Sequence, residues 1–128
     1  MHTTNYFDTF IAVAEDCPVD HSEVPPNKEP KSAAQIEYEM VAEHPYRFMS
    51  DDVLYTANGK RRGISREEFF SKGQPCFRSS PLAKRYGWGV HSNAEGKIAL
   101  YPMESREYKE FTSDGSLTQL KAMRSQRA

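Results

Sequence analysis

Cysteine is scarce in this sequence, and the two that are present, Cys17 and Cys76, lie far apart and outside any C-x-x-C pair. This number and spacing exclude the disulfide framework of small secreted domains. Long apolar runs are also missing, since none approaches the roughly 18 residues that cross a bilayer. The amino terminus has neither the basic start nor the small-residue cleavage site of a signal peptide. We therefore expect reduced thiols, no membrane contact and a cytoplasmic location.

Net charge is close to zero, at −1 for the 128 residues, which argues against a global attraction to nucleic acid or anionic lipid. The average conceals an asymmetry. Residues 1–52 contain 11 acidic and 3 basic residues, whereas residues 53–128 contain 7 acidic and 14 basic residues. Such a split is compatible with one acidic and one basic face. We expect instead that the halves interleave and attract each other within a single domain spanning residues 1–128.

Metal ligands and phosphate-binding loops at useful spacing are lacking as well. The four histidines are scattered, and Asp51-Asp52 has no third acidic residue at calcium-loop spacing. The stretch ANGKRRG lacks the first glycine and the final hydroxyl of a phosphate-binding loop. The sequence therefore predicts no metal site and no cofactor.

Proline is concentrated in residues 16–31, which we predict to be a surface loop, because proline removes backbone donors and restricts the residue before it. The preceding residues 6–14 have apolar side chains on both faces of an extended chain. They predict a strand in a sheet covered on both sides, or an edge strand covered by the next segment.

Capping patterns and apolar spacing predict four short helices, which begin at Ser32, at Ser50, at Ser65 and near Glu104 or Ser105. In the first, we expect Ile36 and Met40 to face the core. The acidic residues of the same helix are expected on its solvent face, namely Glu37, Glu39 and Glu43.

The alternating pattern on either side of Asn93–Gly96 predicts a β-hairpin containing Trp88. Cys76–Arg78 is predicted to be extended. The segment around Leu120 is compatible with a helix or an edge strand, and residues 124–128 are predicted to be a frayed basic tail. The resulting fold class is α+β, with an antiparallel sheet of about four strands and three or four short helices packed on one face.

Three stretches, TTNYFDTFIAVAEDCP, FFSKGQPCFRSSPL and KRYGWGVHSNAEGKIALYPMES, together resemble a family of short bacterial proteins classed as a domain of unknown function. The resemblance covers most of the chain. It implies no activity, substrate or catalytic residue, so no role is transferred to any position.

A cluster of basic and aromatic residues around the hairpin is the clearest functional signal. We predict that Arg78, Lys84, Arg85 and His91 converge beside Trp88, where the guanidinium groups would bind an anionic group and the indole would stack on a planar one. The favoured function is a non-enzymatic binding or interaction module, whose partner is an anionic small molecule or a protein.

Two alternatives are kept. The first is a small enzyme with a thiol or acid–base site, in which Cys76 beside Arg78 is the nucleophile and His91 the base. Packing of the thiol in the core is the commoner role for such a cysteine. The second, less favoured, is nucleic-acid binding through the same basic and aromatic residues.

Overall fold

The computed structural model describes residues 1–125 and shows a four-stranded mixed sheet flanked by helices. The strands are β1 (Thr9–Ala12), β2 (Trp88–Ser92), β3 (Ile98–Pro102) and β4 (Thr118–Lys121), in the order β3-β2-β1-β4. The predicted α+β class and strand number are confirmed. The pairs β1–β2 and β2–β3 are antiparallel, but β1 and β4 are parallel, which the prediction of an antiparallel sheet did not include.

Within residues 1–125, five helices accompany the sheet. They are α1 (Ala33–Glu43), α2 (Ser50–Asn58), α3 (Arg66–Phe69), α4 (Pro81–Lys84) and α5 (Arg106–Thr112), with short 3₁₀ turns at Lys60–Arg62 and Phe77–Ser79. The capping serines predicted for α1 and α3 are confirmed, because the hydroxyls of Ser32 and Ser65 accept backbone N–H bonds there. Ser105, one of the two starts predicted for α5, caps that helix in the same way. Among the helices of residues 1–125, none is long and apolar enough to cross a membrane.

Two local predictions are corrected. Helix α2 is capped by Met49 rather than by Ser50, because the Asp52 carboxylate accepts the Met49 N–H at 2.9 Å. In the segment Cys76–Arg78 only Cys76 is extended, because Phe77 and Arg78 belong to the 3₁₀ turn. A turn of helix follows at once, because Pro81 suits a first helical position and Ser80 caps it.

The main hydrophobic core lies between one face of the sheet and helices α1, α2 and α4. Strands contribute Ile11, Val90 and Ile98, all about 1% exposed. Each such side chain removed from water contributes roughly 1.5–3 kcal/mol to folding. The helices and loops contribute the other large members, Val41, Val53, Leu54, Phe77 and Leu82.

Helix α5 covers the opposite face of the sheet, so the prediction that all helices pack on one face is wrong. Because β3 and β4 run in the same direction at opposite edges, the chain must cross the sheet between them, and α5 makes this crossover. The Phe111 ring stacks on Phe10 with centroids 5.2 Å apart. Gly89 of β2 makes room for this layer, since an added Cβ would lie 2.5 Å from Phe10 and 2.7 Å from Tyr108.

The segment around Leu120, for which the sequence is compatible with a helix or an edge strand, forms the edge strand β4. At the start of the predicted tail, Ser125 N–H donates to the Asp16 carboxylate at 2.9 Å, so residues 124–125 are held against the amino-terminal half. The rest of the tail, residues 126–128, lies outside the described residues.

The proline-rich loop lies over the hairpin and is tied down at several points. The Glu23 N–H donates to the Tyr86 carbonyl at 2.8 Å, and the Trp88 indole N–H donates to the Glu23 carbonyl at 2.8 Å. Further along, the Lys28 N–H donates to the Gln35 side chain of α1. The loop therefore covers the indole edge of Trp88.

The amino-terminal residues are anchored by one buried carboxylate at the start of α2. Asp51 accepts the Thr4 N–H at 2.6 Å, the Thr4 hydroxyl at 2.7 Å and the Thr3 hydroxyl at 2.8 Å. Asn5 completes the arrangement by accepting the Asp51 N–H. Hydrogen bonds to a charged acceptor are about twice as strong as neutral ones, so this is a strong attachment.

Candidate functional site

The predicted basic and aromatic cluster does not form. Trp88 and His91 are three residues apart on β2, so their side chains project to opposite faces of the sheet. Trp88 packs on Tyr38 of α1, with ring centroids 5.3 Å apart, beneath the proline-rich loop. His91 stacks on Phe111 of α5, with centroids 4.4 Å apart, on the other face. One ligand cannot contact both side chains.

The three cationic members of the predicted cluster differ in their surroundings. The Arg78 Nε–H donates to the Lys121 carbonyl at 2.8 Å, which holds this guanidinium against the end of β4. Lys84 is half-buried at the end of α4. Arg85 is exposed and lines a small surface hollow with Pro18 and Ser125.

The proposed pair Cys76 and His91 is not brought together either. The Cys76 thiol lies 3.3 Å from the Tyr6 hydroxyl, on the side of the sheet that packs against α1 and α2. His91 Nδ1 is hydrogen-bonded to the Tyr46 hydroxyl at 2.7 Å on the opposite side. His91 therefore cannot act as the base for this thiol.

The hydroxyl groups beside these two residues titrate far from neutral pH. Burial raises the pKa of Tyr6 to about 12, and the hydrogen bond with Cys76 adds to the effect. Burial also raises the pKa of Tyr46, with a further contribution from its hydrogen bond with Tyr101. Burial lowers the pKa of His91, so its ring is neutral and serves as a hydrogen-bonding partner within the packed layer.

A cleft of about 570 Å³ lies elsewhere, between α1, α2 and the segment 74–81. Its walls are largely apolar and include Leu54, Ala57, Phe69, Pro75 and Pro81. We call it the Glu37 cleft, after the single acidic side chain among its described lining residues. A cavity of this size and lining is typical of small-molecule binding sites.

Glu37 is the central polar group of the cleft, and it is only 2% exposed. Its Oε1 accepts a hydrogen bond from the Ser80 hydroxyl at 2.6 Å. Ser80 Oγ also accepts the Leu82 N–H at 3.2 Å, so the serine that caps α4 orients the carboxyl group as well. Asn58, whose amide donates to the Leu54 carbonyl, adds a weaker interaction with Glu37.

Burial raises the pKa of Glu37 from the ordinary glutamate value of 4.5 to about 7. The cause is loss of hydration, which destabilises the charged form. The hydrogen bonds from Ser80 and Asn58 favour the charged form and limit the rise. Glu37 is therefore present in both protonation states near neutral pH, a property that is frequent among groups in binding and catalytic sites.

The exposed part of the lining, which we call the entrance of the cleft, is basic. Arg61 and Arg62 line it from the 3₁₀ turn that follows α2. Among residues 1–125, no carboxylate forms an ion pair with either guanidinium, although the Arg62 Nε–H donates to the Asn58 carbonyl. Both side chains are exposed, so their charge is available to a ligand. Cys76 also lines the cleft and is half-buried.

The prediction that Glu37 lies on the solvent face of its helix is wrong. The buried stripe of α1 runs through Ala34, Glu37 and Val41, whereas Ile36 and Met40 are half-buried. The spacing of Ala34 and Val41 does place Glu37 between them on one face. The signal was present, but the charge of Glu37 and the larger apolar area of Ile36 and Met40 favoured the neighbouring stripe.

Groups of three or more His, Cys, Asp or Glu side chains that could bind a metal ion do not occur among residues 1–125. The polar side chains that line the Glu37 cleft supply one carboxyl group, one thiol, two serine hydroxyls, two amides and two guanidinium groups.

The chain belongs to the family of unknown function DUF6157, whose model matches residues 1–128. Searches of curated proteins and of solved structures give no match. The family membership confirms the resemblance found in the sequence and assigns no role to any residue.

Proposed function

We propose that this protein is a non-enzymatic binding module for a small organic anion, and that the Glu37 cleft, not the hairpin margin, is its ligand site. The ligand would place an apolar body against the walls and an anionic group at the entrance. The observation that supports this most directly is the combination, in one apolar cleft, of a fully buried carboxyl group and two arginines that form no ion pair with a carboxylate of residues 1–125.

Burying the Glu37 carboxyl group costs free energy, and the packing of the core does not need a carboxyl group at this position. A carboxyl group removed from water destabilises the fold unless its charge is compensated, and an apolar residue of the same size would fill the position without that cost. The carboxyl group is nevertheless oriented by Ser80 at 2.6 Å and lines a space large enough for a ligand. Such a precisely held polar group in an apolar cavity is typical of ligand sites.

The arginines determine the sign of the ligand charge. Guanidinium groups bind carboxylates and phosphates through two parallel hydrogen bonds. Arg61 and Arg62 are the cationic side chains among the described residues of the lining. An anionic group at the entrance would therefore meet their unpaired charge, while the rest of the ligand gains from apolar burial.

The test uses two fluorescent probes that differ by one charged group. Anilinonaphthalene sulfonate has an apolar ring system and a sulfonate, whereas N-phenylnaphthylamine has the same ring system without the sulfonate. We expect the wild-type protein to bind the sulfonate probe with micromolar affinity and the neutral probe about tenfold more weakly, because only the first contacts the arginines.

Variants locate the site. The double variant Arg61→Ala/Arg62→Ala should weaken binding of the sulfonate probe about tenfold and leave binding of the neutral probe unchanged. Lys60→Ala is the matched control, since Lys60 is exposed on the same turn but does not line the cleft. Equal effects of the double variant and Lys60→Ala would contradict the proposal, as would equal affinity for both probes.

We also propose a cytoplasmic location, supported by the two cysteines, Cys17 and Cys76, which are both free thiols. Unpaired thiols are kept reduced in that compartment. Expression with the protein fused to a fluorescent reporter, followed by fractionation, tests this.

A second candidate function, a small acid–base enzyme, is favoured by one observation. Glu37 has a pKa of about 7 and shares the cleft with the Cys76 thiol, so a proton donor or acceptor and a nucleophile line one cavity. Iodoacetamide labelling of Cys76 as a function of pH tests this candidate. Rapid labelling below pH 7 that slows in Glu37→Gln would support an enzyme, whereas slow labelling that is unchanged in the variant would contradict it.

A further inference from the structure

The polar groups of the Glu37 cleft have opposite charges at its two ends. Glu37 is 2% exposed and defines the inner end of the cleft, whereas Arg61 and Arg62 are exposed and define its outer end. Apolar side chains, including Leu54 and Phe69, line the space with them. A ligand that carries only an anionic group binds the arginines of the outer end and offers no cationic partner to the Glu37 carboxylate.

The hydrogen-bonding state of Glu37 shows what the inner end requires. The Ser80 hydroxyl accepts the Leu82 N–H, so its own proton is directed to Glu37 Oε1, and this oxygen acts as an acceptor. Asn58 adds a weaker interaction with the same carboxyl group. A carboxylate has about four acceptor sites, so these two interactions leave about half of its acceptor capacity unused. The group that complements it is a hydrogen-bond donor, and a cationic donor also compensates the buried charge.

We infer that the ligand of the Glu37 cleft is a zwitterion with an apolar body, whose ammonium group binds the Glu37 carboxylate and whose anionic group binds Arg61 and Arg62. This inference rests on the proposed function and adds the second charge of the ligand. It identifies a chemical class, amphoteric amino acids with an apolar spacer, rather than simple organic acids.

The experiment compares three small probes built on one benzene ring. Para-(aminoethyl)benzoic acid carries an ammonium and a carboxylate at opposite ends. Para-ethylbenzoic acid lacks the ammonium, and phenethylamine lacks the carboxylate. Binding is measured by isothermal titration calorimetry at pH 8, above the pKa of about 7 that burial gives Glu37, so that the carboxylate is ionised. We expect the zwitterion to bind at least tenfold more tightly than either of the others.

The variant Glu37→Gln isolates the contribution of the inner end. It retains an oxygen that accepts the Ser80 hydroxyl but removes the negative charge, and we expect it to lose the advantage of the zwitterion over para-ethylbenzoic acid. Glu43→Gln is the control, because Glu43 is exposed on the same helix and does not line the cleft. Because the comparison of the three probes on the wild-type protein needs no variant, it stands even where a variant folds poorly.

The outcomes separate this inference from the proposed function. Equal affinity of the zwitterion and para-ethylbenzoic acid, together with arginine-dependent binding of both, would overturn the inference and leave the proposed function in place. Tighter binding of phenethylamine than of para-ethylbenzoic acid would overturn the anionic ligand of the proposed function. Absence of binding by all three probes at millimolar concentration would overturn the inference, and absence of binding by anilinonaphthalene sulfonate as well would overturn both proposals.

Discussion

Replacing Glu37 by glutamine should make the ligand-free protein more stable above neutral pH, which is unusual for a charged residue with a good hydrogen bond. The Ser80 hydroxyl lies 2.6 Å from Glu37 Oε1 and can donate equally to an amide oxygen. The substitution keeps the size and this hydrogen bond and removes only the ability to ionise. Glu37→Gln therefore measures the cost of burying the charge.

The magnitude follows from the two pKa values of Glu37. Its pKa is about 7 in the folded protein, against 4.5 for an ordinary glutamate, so the folded state binds the proton more tightly than the unfolded state. The resulting stabilisation is fully present below pH 4.5 and is lost as the pH rises through 7. Between pH 4.5 and pH 8 the loss amounts to about 3 kcal/mol, or a melting temperature about 10 °C lower for a chain of this size. The side chain is almost completely buried, so solvent screening reduces this figure little.

The assay is urea denaturation at pH 4.5 and at pH 8, followed by the fluorescence of the single tryptophan, Trp88. The quantity of interest is the free energy of unfolding of Glu37→Gln minus that of the wild type, which should increase by about 3 kcal/mol between the two pH values. The titration of all other groups is the same in both proteins, so its effect cancels in this difference. Glu43→Gln, on the exposed face of the same helix, should show no such increase. A difference for Glu37→Gln that stays constant to within about 0.5 kcal/mol would refute the reasoning.

Three further predictions concern the packing around the sheet. Gly89→Ala should destabilise the protein by about 2–3 kcal/mol in urea denaturation, because the added methyl overlaps two packed rings. The control Gly115→Ala, with open space around it among residues 1–125, should change stability by less than about 0.5 kcal/mol. Similar values for both variants would contradict the packing described for β2. Asp51→Asn weakens the hydrogen bonds that hold the amino terminus, so we expect the free energy of unfolding to fall by about 1–3 kcal/mol and the Thr4 amide to exchange its hydrogen faster. Unchanged exchange at this amide would show that Asp51 does not hold the amino terminus. Trp88→Phe removes the hydrogen bond from the indole to the loop, which should lower the free energy of unfolding by about 1 kcal/mol and accelerate hydrogen exchange at the Glu23 amide. Unchanged exchange at the Glu23 amide would mean that the indole does not hold the loop.

The family and the fold class could be predicted from the sequence, whereas the candidate site could not. The stretches that carry the family resemblance also contain the anchoring threonines, the cleft cysteine and the hairpin. The family assigns no function, so the proposal depends on the geometry of the cleft. Its decisive residue, Glu37, is the one that periodicity assigned to solvent.

The sequence by itself determined the elements whose causes are local. The hydroxyls of Ser32, Ser65 and Ser105 cap helices three residues from their partners, and the turn at Asn93–Gly96 closes the hairpin, so a few neighbouring residues contain all the necessary information. The α+β class followed from the succession of such elements.

Only the tertiary structure decided what depends on contacts between distant segments. The parallel placement of β4 requires the crossover by α5, and the separation of Trp88 from His91 depends on which helices cover each face. Glu37 is buried because Ser80, 43 residues away, supplies a hydroxyl and α2 closes over the same side of α1. Local propensity carries no information about such partners, because burial and hydrogen bonding at a position depend on which remote surface packs there.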